Sequence, residues 1–114
     1  MSEEITQAVS VSQAGGVLRV ALNRPEQHNA MNPAIMVGLT DIFSRLPARD
    51  DVRVVVLTGN GRSFCAGADL AFMRAAADYS FDQNMADGQA IFDLMMAVDS
   101  CPQPVIGRVN GAAI

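Results

Sequence analysis

The chain of 114 residues contains no lysine and no tryptophan, and only one histidine and two cysteines. Each shortage closes off a chemistry. Without lysine there is no GxxxxGK[ST] phosphate loop. One histidine among scattered carboxylates gives no metal-ligand spacing. That histidine, His28, sits in a proline-containing loop far in sequence from Cys65, so a Cys–His nucleophile pair is disfavoured. Cys65 and Cys101 fall in no CxxC or Cys/His pattern and read as reduced thiols of a cytoplasmic protein. The first residues, Met1-Ser2-Glu3-Glu4, are acidic where a secretory signal would be basic and then apolar. No apolar run reaches the length of a membrane span. The formal net charge of −4 argues against non-specific attraction to nucleic acid, although local arginines could still meet a phosphate.

What is present is globular. Half of the residues are apolar and 18% are charged, enough for one core at this length. No repeat, low-complexity tract or linker divides residues 1–114, which read as one unit. Ala8 to Gln13 alternates weakly, Gly15-Gly16 makes a turn, and Val17 to Asn23 alternates with Leu18, Val20 and Leu22 on one face, predicting a hairpin. Asn32-Pro33 is a helix start, with asparagine as N-cap and proline in the first helical position. Ile35, Leu39, Ile42 and Leu46 then recur at helical spacing until Pro47. Residues 52–58 form an apolar run that reads as a buried strand. Beyond Asp69 a short helix is expected to about Asp78. A second helix carries Ile91, Leu94, Met95 and Val98 on one side, and residues 104–109 read as another buried strand. Strand, helix, strand in this order predicts an α/β layer arrangement. The sequence halts on Gly111-Ala112-Ala113-Ile114, which reads as a fragment or half of a larger fold.

Two segments could hold an anion. Gly59-Asn60-Gly61-Arg62-Ser63-Phe64 follows a strand, but Phe64 stands where a dinucleotide fingerprint needs glycine, so a tight turn is the better reading. Phe64-Cys65-Ala66-Gly67-Ala68-Asp69-Leu70 differs. Gly67 lets the backbone bend, the small Ala68 lets a ligand atom approach its N–H, and Asp69 can cap the helix that follows. Free N–H groups there could hold an acyl oxyanion or a phosphate. A capped helix start with no ligand fits the same residues.

Taken together, Leu22-Asn23-Arg24-Pro25, His28-Asn29-Ala30-Met31, the strand at Val54–Gly59, Phe64 to Leu70, and Pro102 to Gly111 resemble the N-terminal half of the enoyl-CoA hydratase/isomerase (crotonase) superfamily in order and spacing. The resemblance implies a crotonase-like ββα spiral, cut before its second oxyanion motif. It also implies an enzyme that binds an acyl-CoA thioester, most simply hydrating a 2-enoyl-CoA, with enoyl-CoA isomerisation as the alternative. Two backbone N–H groups would hold the thioester oxygen and the enolate that forms from it. By match to the motif one of these is that of Ala68. The other would belong to a glycine triplet following Ile114, with the acid/base glutamates further on, so the 114 residues alone are expected to be inactive. Arg24, Gln27, His28 and Ala30 match the loop along the CoA nucleotide. Arg24 would pair with a CoA phosphate or else fix the loop through backbone carbonyls. Ala66, Gly67, Asp69 and Leu70 would flank the acyl group. No metal and no cofactor beyond the CoA of the substrate is implied, and the expected assembly is a homotrimer or a dimer of trimers without nucleic acid or membrane.

Phe72-Met73-Arg74 is further similar to bacterial methylglutaconyl-CoA and carboxygeranoyl-CoA hydratases, which would turn Arg74 towards an acidic acyl group; a solvated surface arginine is the preferred reading. Two other readings compete: a stand-alone module that binds acyl-CoA or a partner, and a nucleotide-binding α/β domain, which the failed phosphate-loop and dinucleotide fingerprints disfavour.

Overall fold

The computed structural model describes residues 3–114. Helix α1 (Glu3–Ala8) leads into strands β1 (Val9–Ala14) and β2 (Val17–Leu22), which pair antiparallel across Gly15-Gly16. Helix α2 (Pro33–Arg45) then crosses to β3 (Val54–Gly59), which lies parallel to β2. Helices α3 (Leu70–Ala76) and α4 (Phe81–Asp99) make the second crossover, to the short β4 (Val105–Gly107), parallel to β3. The sheet order is β1-β2-β3-β4. Parallel neighbours need such long connections, which is why helices alternate with strands here.

Local chemistry explains most of the elements. The Asn32 side chain accepts the Ile35 N–H at 3.0 Å and Pro33 occupies the first turn of α2. Helix α4 begins with a capping box: Ser80 Oγ accepts from Gln83 N–H and Gln83 Oε1 accepts from Ser80 N–H. The core lies between α2 and one face of the sheet, where Ile35, Phe43, Leu46, Val20 and Val55 are almost wholly buried.

Four expectations need correction. Helix α1 has no counterpart in the sequence reading; its six residues are too few to show periodicity, and Glu3 and Glu4 suit the positive end of a helix. On α2, Phe43 is buried while Ile42 only half meets the core. On α4, Leu94 is buried and Val98 half-buried, but Ile91 and Met95 are exposed, together with Phe81, Met85 and Phe92. Helix α4 packs on α2 along a narrow stripe, so its apolar spacing is wider than its contact. The last strand is three residues long and leaves Ile106 exposed.

Because β2, β3 and β4 are parallel, their carboxyl ends, at Leu22, Gly59 and Gly107, fall on one edge of the sheet. The loop that follows β2, the loop that follows β3 and runs on to Leu70, and the segment that follows β4 all leave from that edge, where open α/β sheets place ligands.

Candidate active site

The loop after β2 closes on itself first. A 3₁₀ turn at Pro25–Gln27 is followed by His28 and Asn29, both with left-handed backbone (φ 52° and 57°). Asn29 is fully buried. Its Oδ1 accepts the Arg24 N–H at 2.8 Å, and its Nδ2 donates to the carbonyls of Asn60 at 3.0 Å and Ser63 at 2.8 Å. One side chain thus joins the loop after β2 to the loop after β3. His28 adds a second link, its Nδ1 lying 3.0 Å from Ser63 Oγ.

Residues 64–69 run between two neighbours, with a bend at Gly67. On one side Ala66 N–H donates to His28 O (3.0 Å), Met31 N–H to Gly67 O (2.7 Å) and Asp69 N–H to Met31 O (2.9 Å). On the other, Phe64 and Cys65 N–H both donate to Ala112 O, and Ile114 N–H donates to Cys65 O at 3.0 Å. Asn110 holds this third segment in place, bonding the N–H and C=O of Gly59 through its amide.

This lacing turns the Ala68 N–H away from Met31. Met31 and Ala68 form a parallel bridge in which Met31 bonds the residues on either side of Ala68. In a parallel pair the bridged residue itself therefore faces its own N–H and C=O away from its partner. The Ala68 N–H has no acceptor among the described residues, and Ala68 lines an open cleft of about 540 Å³. The free donor arises from strand-like pairing. Helix α3, seven residues long, begins two positions later and adds little.

Of the residues expected at the site, Gln27, His28, Ala30, Ala66, Ala68, Asp69 and Leu70 all line this one cleft. Gly67 does not: it turns the backbone (φ 95°) and gives its carbonyl to Met31. Arg24 lies behind the cleft, its Nη1 donating to Ala30 O at 2.6 Å and to Asp69 Oδ2 at 3.1 Å. Ser63, Ala71, Ala112 and Ile114 complete the lining and were not foreseen. Among the described residues no three His, Cys, Asp or Glu side chains gather as metal ligands, and no helix is long and apolar enough to cross a membrane.

The Asp69 carboxylate is fully engaged. It caps α3 by accepting the Phe72 N–H at 2.9 Å and pairs with Arg24. The Phe72 N–H does most to hold this carboxyl below its ordinary range; burial opposes the shift, and the Arg24 hydrogen bond and charge add to it. A depressed carboxyl stabilises the fold above its unfolded value, near pH 4, and that contribution is lost as pH falls through the folded value. Asp69→Asn, whose side-chain oxygen can still cap α3, is therefore expected to lose stability at pH 7 and to narrow the stability gap between pH 7 and pH 3. Some acid sensitivity will persist through Asp51, held low by its hydrogen bonds from Arg49 and then Gln13. Urea midpoints at the two pH values measure this, and a variant with an unchanged gap would refute the linkage.

Comparison with known proteins shows the family. Residues 12–114 match the family model described as enoyl-CoA hydratase/isomerase. The chain is 38% identical over 109 residues to the probable enoyl-CoA hydratase echA6 of Mycobacterium leprae, covering 93% of this chain and 41% of that one. It superimposes on an enoyl-CoA hydratase from Shewanella pealeana with a TM-score of 0.90 at 31% identity, over 99% of this chain and 44% of the other. An enoyl-CoA hydratase from Bacillus anthracis gives 0.81 at 36% identity, over 92% and 40%. An α/β fold of the crotonase type thus carries the cleft, and the chain belongs to the enoyl-CoA hydratase/isomerase family. It spans about two-fifths of the length of the curated relatives it matches.

Proposed function

We propose that this chain supplies the CoA-thioester cleft and one oxyanion donor of an enzyme that hydrates 2-enoyl-CoA. The observation that carries the reading is the unpaired Ala68 N–H on the wall of a cleft built from three loops at the carboxyl edge of the sheet. A thioester oxygen placed there accepts that N–H, and the interaction strengthens as the carbonyl gains enolate charge during attack by water on the β-carbon. In this reading Gln27, His28 and Ala30 lie along the CoA, while Leu70 flanks the acyl chain. The names of the relatives favour hydration over isomerisation. CoA enters as part of the substrate, with no further cofactor or metal. The working assembly is a trimer or a dimer of trimers, to which the exposed Phe81, Met85 and Phe92 of α4 offer apolar surface. A soluble, cytoplasmic setting suits such a substrate.

The titratable side chains that line the cleft are His28 and Asp69. Asp69 is committed to Arg24 and α3, and His28 meets Ser63. No unengaged carboxylate faces the thioester within the described residues, so the 114-residue chain is expected to bind without turning over. Calorimetry should show tighter binding of crotonyl-CoA than of free CoA, and the conjugated absorbance of crotonyl-CoA should persist on incubation. Equal affinity for the two ligands, or hydration by this chain alone, would overturn the reading.

A further inference from the structure

One guanidinium nitrogen occupies a telling place. Arg24 Nη1 contacts Ala30 O at 2.6 Å and Asp69 Oδ2 at 3.1 Å. Ala30 is the residue before Met31, and Asp69 is the residue after Ala68. The same atom therefore ties together one flank of each strand of the Met31–Ala68 bridge, the bridge that leaves the Ala68 N–H facing away from Met31 beside the cleft that Ala68 lines. The Arg24 side chain is only 20% exposed and that of Asp69 12%, so the pair is partly shielded from solvent and loses little to screening. The Arg24 backbone is anchored as well, its N–H and C=O bonded to the Oδ1 and N–H of Asn29. Arg24 does not line the cleft.

We propose that Arg24 is a positioning residue for the Ala68 N–H: its guanidinium pins Ala30 and Asp69 on either side of the bridge, fixes the direction of that donor, and does not serve as a phosphate ligand. The inference rests on the thioester reading above. It assigns to an arginine of a nucleotide-side loop a function at the carbonyl end of the substrate.

Three ligands separate the possibilities: crotonyl-CoA, which has both carbonyl and phosphates; free CoA, with the phosphates alone; and crotonyl-pantetheine, with the carbonyl alone. Arg24→Met keeps the apolar stem and removes the guanidinium. It is expected to weaken crotonyl-CoA and crotonyl-pantetheine by the same factor, about fivefold for one misaligned hydrogen bond. Free CoA should stay unchanged, and the Ala68 amide resonance of the ligand-free chain should move. A loss confined to the two phosphate-bearing ligands overturns the proposal, as does an equal loss across all three or an Ala68 resonance that stays in place.

Asp69→Asn provides a second test should Arg24→Met fail to fold. It frees Arg24 without removing it, so a phosphate ligand would bind free CoA more tightly, whereas a positioning residue would lose thioester affinity only. A wild-type chain that binds none of the three ligands refutes the proposed function instead. The Ala68 resonance in Arg24→Met or Asp69→Asn then decides the present inference by itself.

Discussion

Asn29→Ala is expected to be among the most damaging single substitutions outside the apolar core, lowering unfolding stability by about 4 kcal/mol. The estimate follows from what the side chain leaves behind. Its removal strips partners from the Arg24 N–H and from the carbonyls of Asn60 and Ser63, at a site with no solvent exposure. Each buried polar group left unpaired costs about 1–3 kcal/mol, less whatever water can re-enter. Alanine must also hold the left-handed backbone of Asn29, adding about 1 kcal/mol. The two contributions separate by variant. Asn29→Gly relieves the backbone and should recover only the smaller part. Asn29→Asp keeps the acceptor for Arg24 but turns an oxygen towards two carbonyls, and should recover none. Urea unfolding, with the slope unchanged, is the measurement. A loss under 1 kcal/mol for Asn29→Ala would mean that the two loops are held by other contacts. Against a typical domain stability of about 5–15 kcal/mol, the expected loss would remove about a quarter of the total or more.

The sequence pointed to the loop that bears the unpaired Ala68 N–H without showing why that donor is free. Elements written in local chemistry were legible: the Asn32-Pro33 start of α2, the Gly15-Gly16 hairpin, the apolar β3, and Asp69 as cap of α3. The aim of the Ala68 N–H is set differently. It depends on backbone pairing of residues 64–69 with 28–31 and with 112–114, contacts that ignore side-chain identity and leave no periodic trace. Asn29 was equally hidden, since a polar residue in a polar loop reads the same whether it is solvated or wholly buried. Helix α4 misled in the opposite direction. Its apolar residues are frequent enough to suggest a broad buried face, yet among the described residues the core meets α4 along the stripe of Leu94, Ala97 and Val98.

The third wall of the cleft depends on a glycine, and Gly111→Ala is expected to remove that wall. Gly111 has φ 71°, and a methyl group there would overlap the carbonyl oxygen of Arg62 and crowd its carbonyl carbon at 3.1 Å. The obstruction is backbone, so no rotamer change relieves it, and residues 111–114 must shift away from residues 62–65. The bonds from Phe64 and Cys65 N–H to Ala112 O and from Ile114 N–H to Cys65 O would go with them. Gly15 supplies the control. Its φ is 58°, but a methyl group there meets nothing within 4 Å. Gly15→Ala therefore carries only the backbone cost, about 1 kcal/mol, while Gly111→Ala should cost about 3 kcal/mol or more by adding steric conflict and lost pairing. The two variants should also part in function. Gly15→Ala should bind crotonyl-CoA as the parent does; Gly111→Ala should bind it at least tenfold more weakly, because Ala112 and Ile114 no longer close the cleft around the Ala68 N–H. Equal effects of the two substitutions on stability and on binding would show that residues 112–114 contribute no wall to the site.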